Sequence, residues 1–226
     1  MSAASKNNPK NMSGGEAIVD ALVRNGVDTA FGIPGVQLDP LFDALYDAQN
    51  SIRVIHTRHE QGAAYMALGY AQATGRVGTA IVVPGPGLLN ASAAIATGYA
   101  LNAQMLCVVG QIPSALIGKG TGQLHELPDQ LEIAQGLTKW AARMDTPGDA
   151  PRTMAEAFRQ LHTGRPRPVE VEMALDIMKA RADISSIDAP DFYEIAEPDP
   201  DRIAAAAKML GEAKNPLIFA GGGAID

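Results

Sequence analysis

Residues 79–87 read Thr79-Ala80-Ile81-Val82-Val83-Pro84-Gly85-Pro86-Gly87, and residues 105–109 read Met105-Leu106-Cys107-Val108-Val109. Both runs, Thr79 to Val83 and Met105 to Val109, are apolar on both faces. A sheet with one wet face alternates apolar and polar side chains. Strands apolar on both faces are expected where helices cover a parallel sheet on each side. Gly87 to Leu101, between the runs, has the length of the crossover helix that parallel strands require. Strand, helix, strand in this order predicts an α/β fold, a doubly wound and mostly parallel sheet with helices on both faces.

The flanking sequence repeats the pattern. Ser13 and Glu16 form an S-x-x-E capping box, and the helix after it sets Ile18, Ala21 and Leu22 on one face before stopping near Gly26. Thr29 to Phe31 reads as a strand that runs into Gly32-Ile33-Pro34-Gly35. Asp39 and Pro40 open a helix carrying Leu41, Phe42 and Leu45. Ile52 to His56 is a further strand, and Gln61 to Thr74 a second crossover helix. From Gln111 to Gln130 the periodicity breaks in a glycine-rich segment, a long loop of the kind that often carries function. A helix around Thr153 to His162 and a last strand, Val169 to Met173, follow.

The expected organisation is a disordered N-terminus over residues 1–11, the main α/β domain over 12–180 and a polar linker over 181–200 with Pro190, Pro198 and Pro200. Residues 201–226 then read as the start of a second α/β domain: a helix from Asp201 to Ala213, a strand from Pro216 to Ala220, and Gly221-Gly222-Gly223. One helix and one strand cannot bury a core alone. The sequence is therefore expected to be cut from a longer protein, or to be completed by another chain.

Hydrophobic residues make up 46% and charged residues 19% of 226, enough for a sizeable core. The formal charge of -7 argues against nucleic acid or an anionic membrane as the main partner. No run of about 18 residues is apolar enough to span a bilayer, and the first residues lack the apolar stretch of a signal peptide. The single cysteine, Cys107, rules out an internal disulfide and sits in an apolar run as a small core residue. A cytoplasmic protein is expected.

Ligands of open α/β sheets bind at the carboxyl ends of the strands. Those ends are Gly32-Ile33-Pro34-Gly35, Arg58-His59-Glu60-Gln61-Gly62, Pro84-Gly85-Pro86-Gly87 and Gly110-Gln111-Ile112-Pro113. Parallel strands put all of them on one edge. Glu60 stands out as a carboxylate at the start of a helix rich in small residues, Ala63, Ala64, Ala67 and Ala71. By itself it could answer to the helix dipole or pair with Arg58. Gly85-x-Gly87 lacks the third glycine of a dinucleotide loop, because Asn90 stands there. His56 and His59 have no third ligand at a sensible spacing, so no metal site is expected here.

Taken in order, these blocks resemble the N-terminal pyrimidine-binding domain of thiamine diphosphate enzymes, in the acetolactate synthase and 2-oxoacid decarboxylase superfamily. The residues that carry the resemblance are Gly32-Ile33-Pro34-Gly35, Arg58-His59-Glu60-Gln61-Gly62-Ala63-Ala64-Tyr65-Met66-Ala67 continuing to Gly75, Val83-Pro84-Gly85-Pro86-Gly87 with Asn90, Gly110-Gln111-Ile112-Pro113 and Thr138-Lys139-Trp140. It covers roughly residues 12–180, and Gly221-Gly222-Gly223 resembles the start of the family's central domain. The resemblance implies that Glu60 is a buried carboxylate bonded to N1′ of the cofactor's aminopyrimidine. There it would favour the imino tautomer that removes the C2 proton, with the protein supplying orientation and electrostatics. It implies decarboxylation or carboligation of a small-molecule 2-oxo acid.

The resemblance further implies that Pro34, Gly35, Pro84, Gly85 and Asn90 line the cofactor. Val36, Gln123, Leu124, His125 and Lys139 would form part of the substrate pocket. Family members carry a phenylalanine–glutamine–glutamate stretch where this chain has Leu124-His125-Glu126, which puts acetolactate synthesis itself in doubt. His125 could move a proton there, or be a surface loop residue. Asn90 could touch the pyrimidine or only satisfy backbone groups. Lys139 matches a family lysine near the active-site face, with plain exposure as the alternative.

The family holds the diphosphate and Mg2+ on a separate domain with a G-D-G motif, which this sequence lacks. FAD, bound by some relatives, cannot be inferred. The chain alone is thus expected to bind the cofactor poorly and to show no turnover. Its expected partners are the substrate and either a homo-oligomer or a chain bearing the diphosphate domain. The alternatives are a catalytically silent interaction module, or one subunit of a split thiamine enzyme.

Overall fold

A computed structural model describes residues 8–189 and 197–224. The sequence reading of 1–7 as disordered and the part of the linker at 190–196, with Pro190, lie outside the described residues. The chain divides into two compact units, residues 1–192 and 193–226.

In the first unit β1 (Lys10–Ser13) leads into α1 (Gly14–Arg24), β2 (Thr29–Gly32), α2 (Asp39–Asp47), β3 (Arg53–His56), α3 (Glu60–Thr74), β4 (Gly78–Val82), α4 (Pro86–Ala100) and β5 (Met105–Gln111). Then come α5 (Gln130–Leu137), β6 (Trp140–Met144), α6 (Ala150–His162), β7 (Val169–Ala174), α7 (Leu175–Lys179) and β8 (Arg181–Ile184). Six strands form one sheet in the order β3-β2-β4-β5-β7-β6, every neighbour parallel. This is the doubly wound α/β sheet that the two apolar runs predict. β4 and β5, at its centre, are buried at every position.

Each face has its own core. On one, Ile18 and Leu22 of α1, Leu41 and Leu45 of α2, and Met154, Phe158 and Leu161 of α6 pack on Ile81, Leu106, Val108, Val169 and Val171. On the other, Ala63, Ala64 and Ala67 of α3, Ala91, Ala94 and Ile95 of α4, and Ala134 of α5 pack on Phe31, Ala80, Val82, Cys107 and Val109. The small side chains of this second layer bring helix backbone close to the sheet. A Cβ on Gly78 would lie 1.9 Å from the Ala67 carbonyl oxygen. The alanines at the start of α3 thus serve the layer beneath it.

Helix starts follow the local chemistry. The Glu16 N–H donates to Ser13 Oγ at 3.1 Å, and the Ser13 N–H to Glu16 Oε2 at 2.7 Å, the expected capping box. His59 caps α3, its Nδ1 accepting from the Gln61 N–H at 3.1 Å, and Gly75 ends that helix at φ 67°.

Three parts of the organisation differ from the sequence reading. β1 and β8 pair antiparallel, with Lys10 opposite Ile184 and Ser13 opposite Arg181. Residues 10 and 11 are therefore strand and not disordered terminus, and 181–184 are a strand of the first unit instead of the beginning of a linker. α5 and β6 lie between the loop ending at Gln130 and the helix around Thr153, where the sequence reading assigns no element. In the second unit α8 (Pro200–Glu212) forms as expected, but 216–220 is not a strand. Leu217, Ile218 and Phe219 are exposed.

Candidate active site at the carboxyl edge of the sheet

The parallel order places Pro34-Gly35, Glu60 and Pro84-Gly85 beyond the carboxyl ends of β2, β3 and β4, and Gln111 at the carboxyl end of β5, on one edge. Glu60 is the first residue of α3. It is half-buried, not buried as read from the sequence, because it sits at the rim where two helix starts meet. Asn90 Nδ2 donates to Glu60 Oε2 at 2.9 Å. A Cβ on Gly87 would lie 2.6 Å from Val83 Cγ2, too close, and 3.6 Å from Glu60 Cγ, an ordinary contact, so the glycine lets the start of α4 pack against Val83 with Glu60 beside it. Among the described residues no ion pair joins Glu60 to Arg58. Asn90 neither turns to its own helix start nor stands free; its amide reaches the carboxylate.

Gly85 turns the chain from β4 into α4 at φ 58° and ψ -114°, a conformation open to glycine. A Cβ there would lie 2.4 Å from the His125 carbonyl oxygen, so the loop after β5 folds back onto this turn. His125 itself has φ 74°, uncommon for a side-chain-bearing residue. Its Nδ1 is buried without a hydrogen-bond partner. The loop is braced by Glu126, whose carboxylate accepts from the N–H groups of Gly120 at 3.0 Å, Gly122 at 2.6 Å and Gln123 at 2.9 Å. Those amides, Gln123 first, hold the Glu126 carboxyl below its usual range.

Behind the turn lies a buried polar group that sequence reasoning missed. Gln130 Oε1 accepts from the Gly85 N–H at 2.7 Å, and its Nε2 donates to Gly110 O at 3.0 Å and Glu172 Oε2 at 2.7 Å. Arg143 pairs with the other oxygen of Glu172, whose side chain is fully buried. One residue pair along β7, Glu170 is also fully buried, and neither oxygen has a partner. Burial, and then the nearby Glu172, push its carboxyl well above the ordinary range. The Cys107 thiol, opposite Glu170 in register, is raised by burial and by Glu170, as befits a core cysteine.

Val36 and Leu124 are 67% and 76% exposed, and Gln123 is exposed as well. Lys139 does not join the others. It precedes β6, at the amino end of the strands, and its Nζ donates to the carbonyls of Gln160 at 2.6 Å and Thr163 at 2.5 Å at the end of α6. The expected place near the active-site face is corrected by this polarity. A residue before a parallel strand lies on the edge opposite the ligand. Burial first, then the charges of Arg159 and Arg167, lower its affinity for its proton.

The outer surface beside Glu60 is unusual. Between Gln61 and Asn102 the only charged residue is Arg76, and Tyr65, Met66, Leu89 and Tyr99 are exposed on α3 and α4. Among the described residues no helix is long and apolar enough to cross a membrane.

Comparison with known proteins agrees with this geometry. Residues 12–133 match the family model described as thiamine pyrophosphate enzyme, N-terminal TPP binding domain. The acetolactate synthase large subunit of Corynebacterium glutamicum is 38% identical over 220 residues, covering 96% of this chain and 34% of that protein. A probable 2-ketoarginine decarboxylase, AruI, of Pseudomonas aeruginosa is 37% identical over 223 residues, covering 96% and 38%. The acetolactate synthase isozyme 2 large subunit of Escherichia coli is 36% identical over 212 residues, covering 94% and 38%. The chain thus spans about a third of the length of these relatives. With a parallel sheet whose carboxyl edge carries Glu60 and Asn90, and a family match over more than half its length, the chain belongs to the thiamine pyrophosphate enzymes, as an N-terminal TPP binding domain of the acetolactate synthase-like and 2-oxoacid decarboxylase type.

Proposed function

We propose that this chain supplies the pyrimidine-binding half of a thiamine diphosphate site in an enzyme acting on a 2-oxo acid, by decarboxylation, carboligation or both. The observation that carries the reading is the Glu60–Asn90 contact. Asn90 occupies one carboxylate oxygen at 2.9 Å, and the other has no partner among the described residues, so it can accept from a ring N–H. That donor set fits an aminopyrimidine nitrogen. When bound, the cofactor supplies an electron sink for the bond next to a carbonyl. Glu60 holds the proton at the pyrimidine nitrogen, Asn90 fixes the carboxylate, and the Pro34-Gly35 and Pro84-Gly85 turns approach the ring with backbone only. To His125, on the loop folded over Gly85, we assign donation or acceptance of a proton at the substrate, with Val36, Gln123 and Leu124 as pocket wall.

The diphosphate and its Mg2+ are assigned to a separate domain with the G-D-G motif. A second copy, or the chain bearing that domain, is expected to cover the uncharged outer face of α3 and α4. Covering it would take water away from Glu60 and strengthen its hydrogen bond to the ring. Relatives named as acetolactate synthases and as a probable 2-ketoarginine decarboxylase bring both reaction types into the proposal. The test is Glu60→Gln in the complete enzyme. Exchange of the cofactor C2 hydrogen for deuterium, followed by NMR, should slow by orders of magnitude; unchanged exchange would remove Glu60 from the role.

A further inference from the structure

We propose that Gln130 is a positioning residue for Glu60. Its buried amide fixes the Gly85 turn, and through that turn the first residues of α4, where Gly87 faces Glu60 and Asn90 holds the Glu60 carboxylate. Gln130 is 2% exposed and opens α5, far from Glu60 in sequence. Its amide joins three strand ends: the turn after β4 through the Gly85 N–H, β5 through the Gly110 carbonyl, and β7 through Glu172.

The orientation of the amide is dictated by its neighbours. The Gly85 N–H can only donate, and the Gly110 carbonyl can only accept. Glu172 accepts from Arg143 through one oxygen and from Gln130 through the other. A flipped Gln130 would set its NH2 against the Gly85 N–H and its oxygen against two acceptors. The amide is thus held in one state by a buried ion pair, in surroundings where an unmade hydrogen bond is costly.

The turn is closed by the Gly87 N–H on Pro84 O at 3.2 Å and the Leu89 N–H on Gly85 O at 3.1 Å, while Gln130 takes the Gly85 N–H itself. Gly85 has a positive φ, and the loop packed on it carries a second at His125. Left alone, Gly85 has many alternatives open to it. A small rotation at Gly85 swings the start of α4, and the 2.9 Å contact from Asn90 to Glu60 is the first distance to change.

What Glu60 does rests on the thiamine reading; the strut does not. Gln130→Met keeps the volume and removes every hydrogen bond. Gln130→Glu keeps the acceptor, and when protonated it donates as well. In the 15N-labelled chain, Gln130→Met should lower the amide-exchange protection of Gly85 at least about tenfold and shift the Asn90 side-chain NH2 resonances, while the central strand amides stay protected. Gln130→Glu should look like the parent at pH 5 and lose Gly85 protection towards pH 9, as its carboxyl ionises beside Glu172. If Gln130→Met does not fold, the pH dependence of Gln130→Glu decides. Unchanged Gly85 protection and Asn90 shifts in folded Gln130→Met, or pH-independent behaviour of Gln130→Glu, overturn the proposal. In the complete enzyme, Gln130→Met should slow cofactor C2 exchange and leave cofactor affinity nearly unchanged. If Gly85 and Asn90 relax while C2 exchange is untouched in both Gln130→Met and Glu60→Gln, the strut stands and the cofactor role of Glu60 falls.

Discussion

Replacing Glu170 by glutamine should stabilise the first unit, and by an amount that grows with pH. Glu170 is fully buried and both its oxygens lack partners. Its carboxyl is raised well above 4.5 by burial and by Glu172. The folded state therefore keeps a proton that the unfolded state releases. Below about pH 4.5 both states hold it, and the parent and Glu170→Gln should differ little. Above that, the unfolded state binds one proton fewer, so stability falls by about 1.4 kcal/mol per pH unit until the raised folded value is reached. Glutamine keeps the shape and carries no titrating proton, so the difference between the two proteins isolates this residue. Urea unfolding at pH steps from 5 to 8 reads it, with Trp140, the single tryptophan, as probe; it lies opposite Val169, beside Glu170 in β7. A difference independent of pH would refute the reasoning. So would a variant about 1–3 kcal/mol less stable throughout, which would mean that Glu170 is ionised and paired.

Lys139→Met should cost about 1–2 kcal/mol, since two charge-assisted hydrogen bonds to the end of α6 are lost; thermal unfolding checks this, and C2 exchange in the complete enzyme should not change. Gly85→Ala should be worse than Gly26→Ala. Both have positive φ, at 58° and 74°, a conformational cost of about 1–3 kcal/mol. Only at Gly85 does a new Cβ also meet backbone, the His125 carbonyl at 2.4 Å, while nothing lies within 4 Å at Gly26. Equal losses in denaturant unfolding would show that the loop yields freely.

The central sheet was legible because β4 and β5 are buried on both faces, and burial of that kind leaves a pattern in the residues themselves. β6 was not. Trp140-Ala141-Ala142-Arg143-Met144 is a short edge strand, and Arg143 makes sense only beside Glu172 in the next strand. β1 and β8 pair across about 170 residues, a partnership no local window contains. α5 did carry a signal: Asp129 three residues before Glu132, whose N–H donates to the Asp129 carboxylate at 2.9 Å. The run Leu217-Ile218-Phe219 has strand propensity, which forms a strand only where a neighbouring strand takes its hydrogen bonds. At the site, Glu60 was legible from its flanks. The contact from Asn90, the fold of His125 over Gly85 and the hidden amide of Gln130 depend on which strand ends lie together, and sequence spacing does not encode that.

The short ribbon of β1 and β8 has a mechanical consequence. Lys10 and Ile184 are partners across it, so the strand that precedes the six-stranded sheet and the strand that follows it meet at one place. A unit whose first and last strands adjoin can be joined to further domains without spanning its own width. Tension applied at those strands peels a ladder of four residue pairs one at a time. The six-stranded sheet, and the edge that carries Glu60, would feel none of that load until the ribbon had opened.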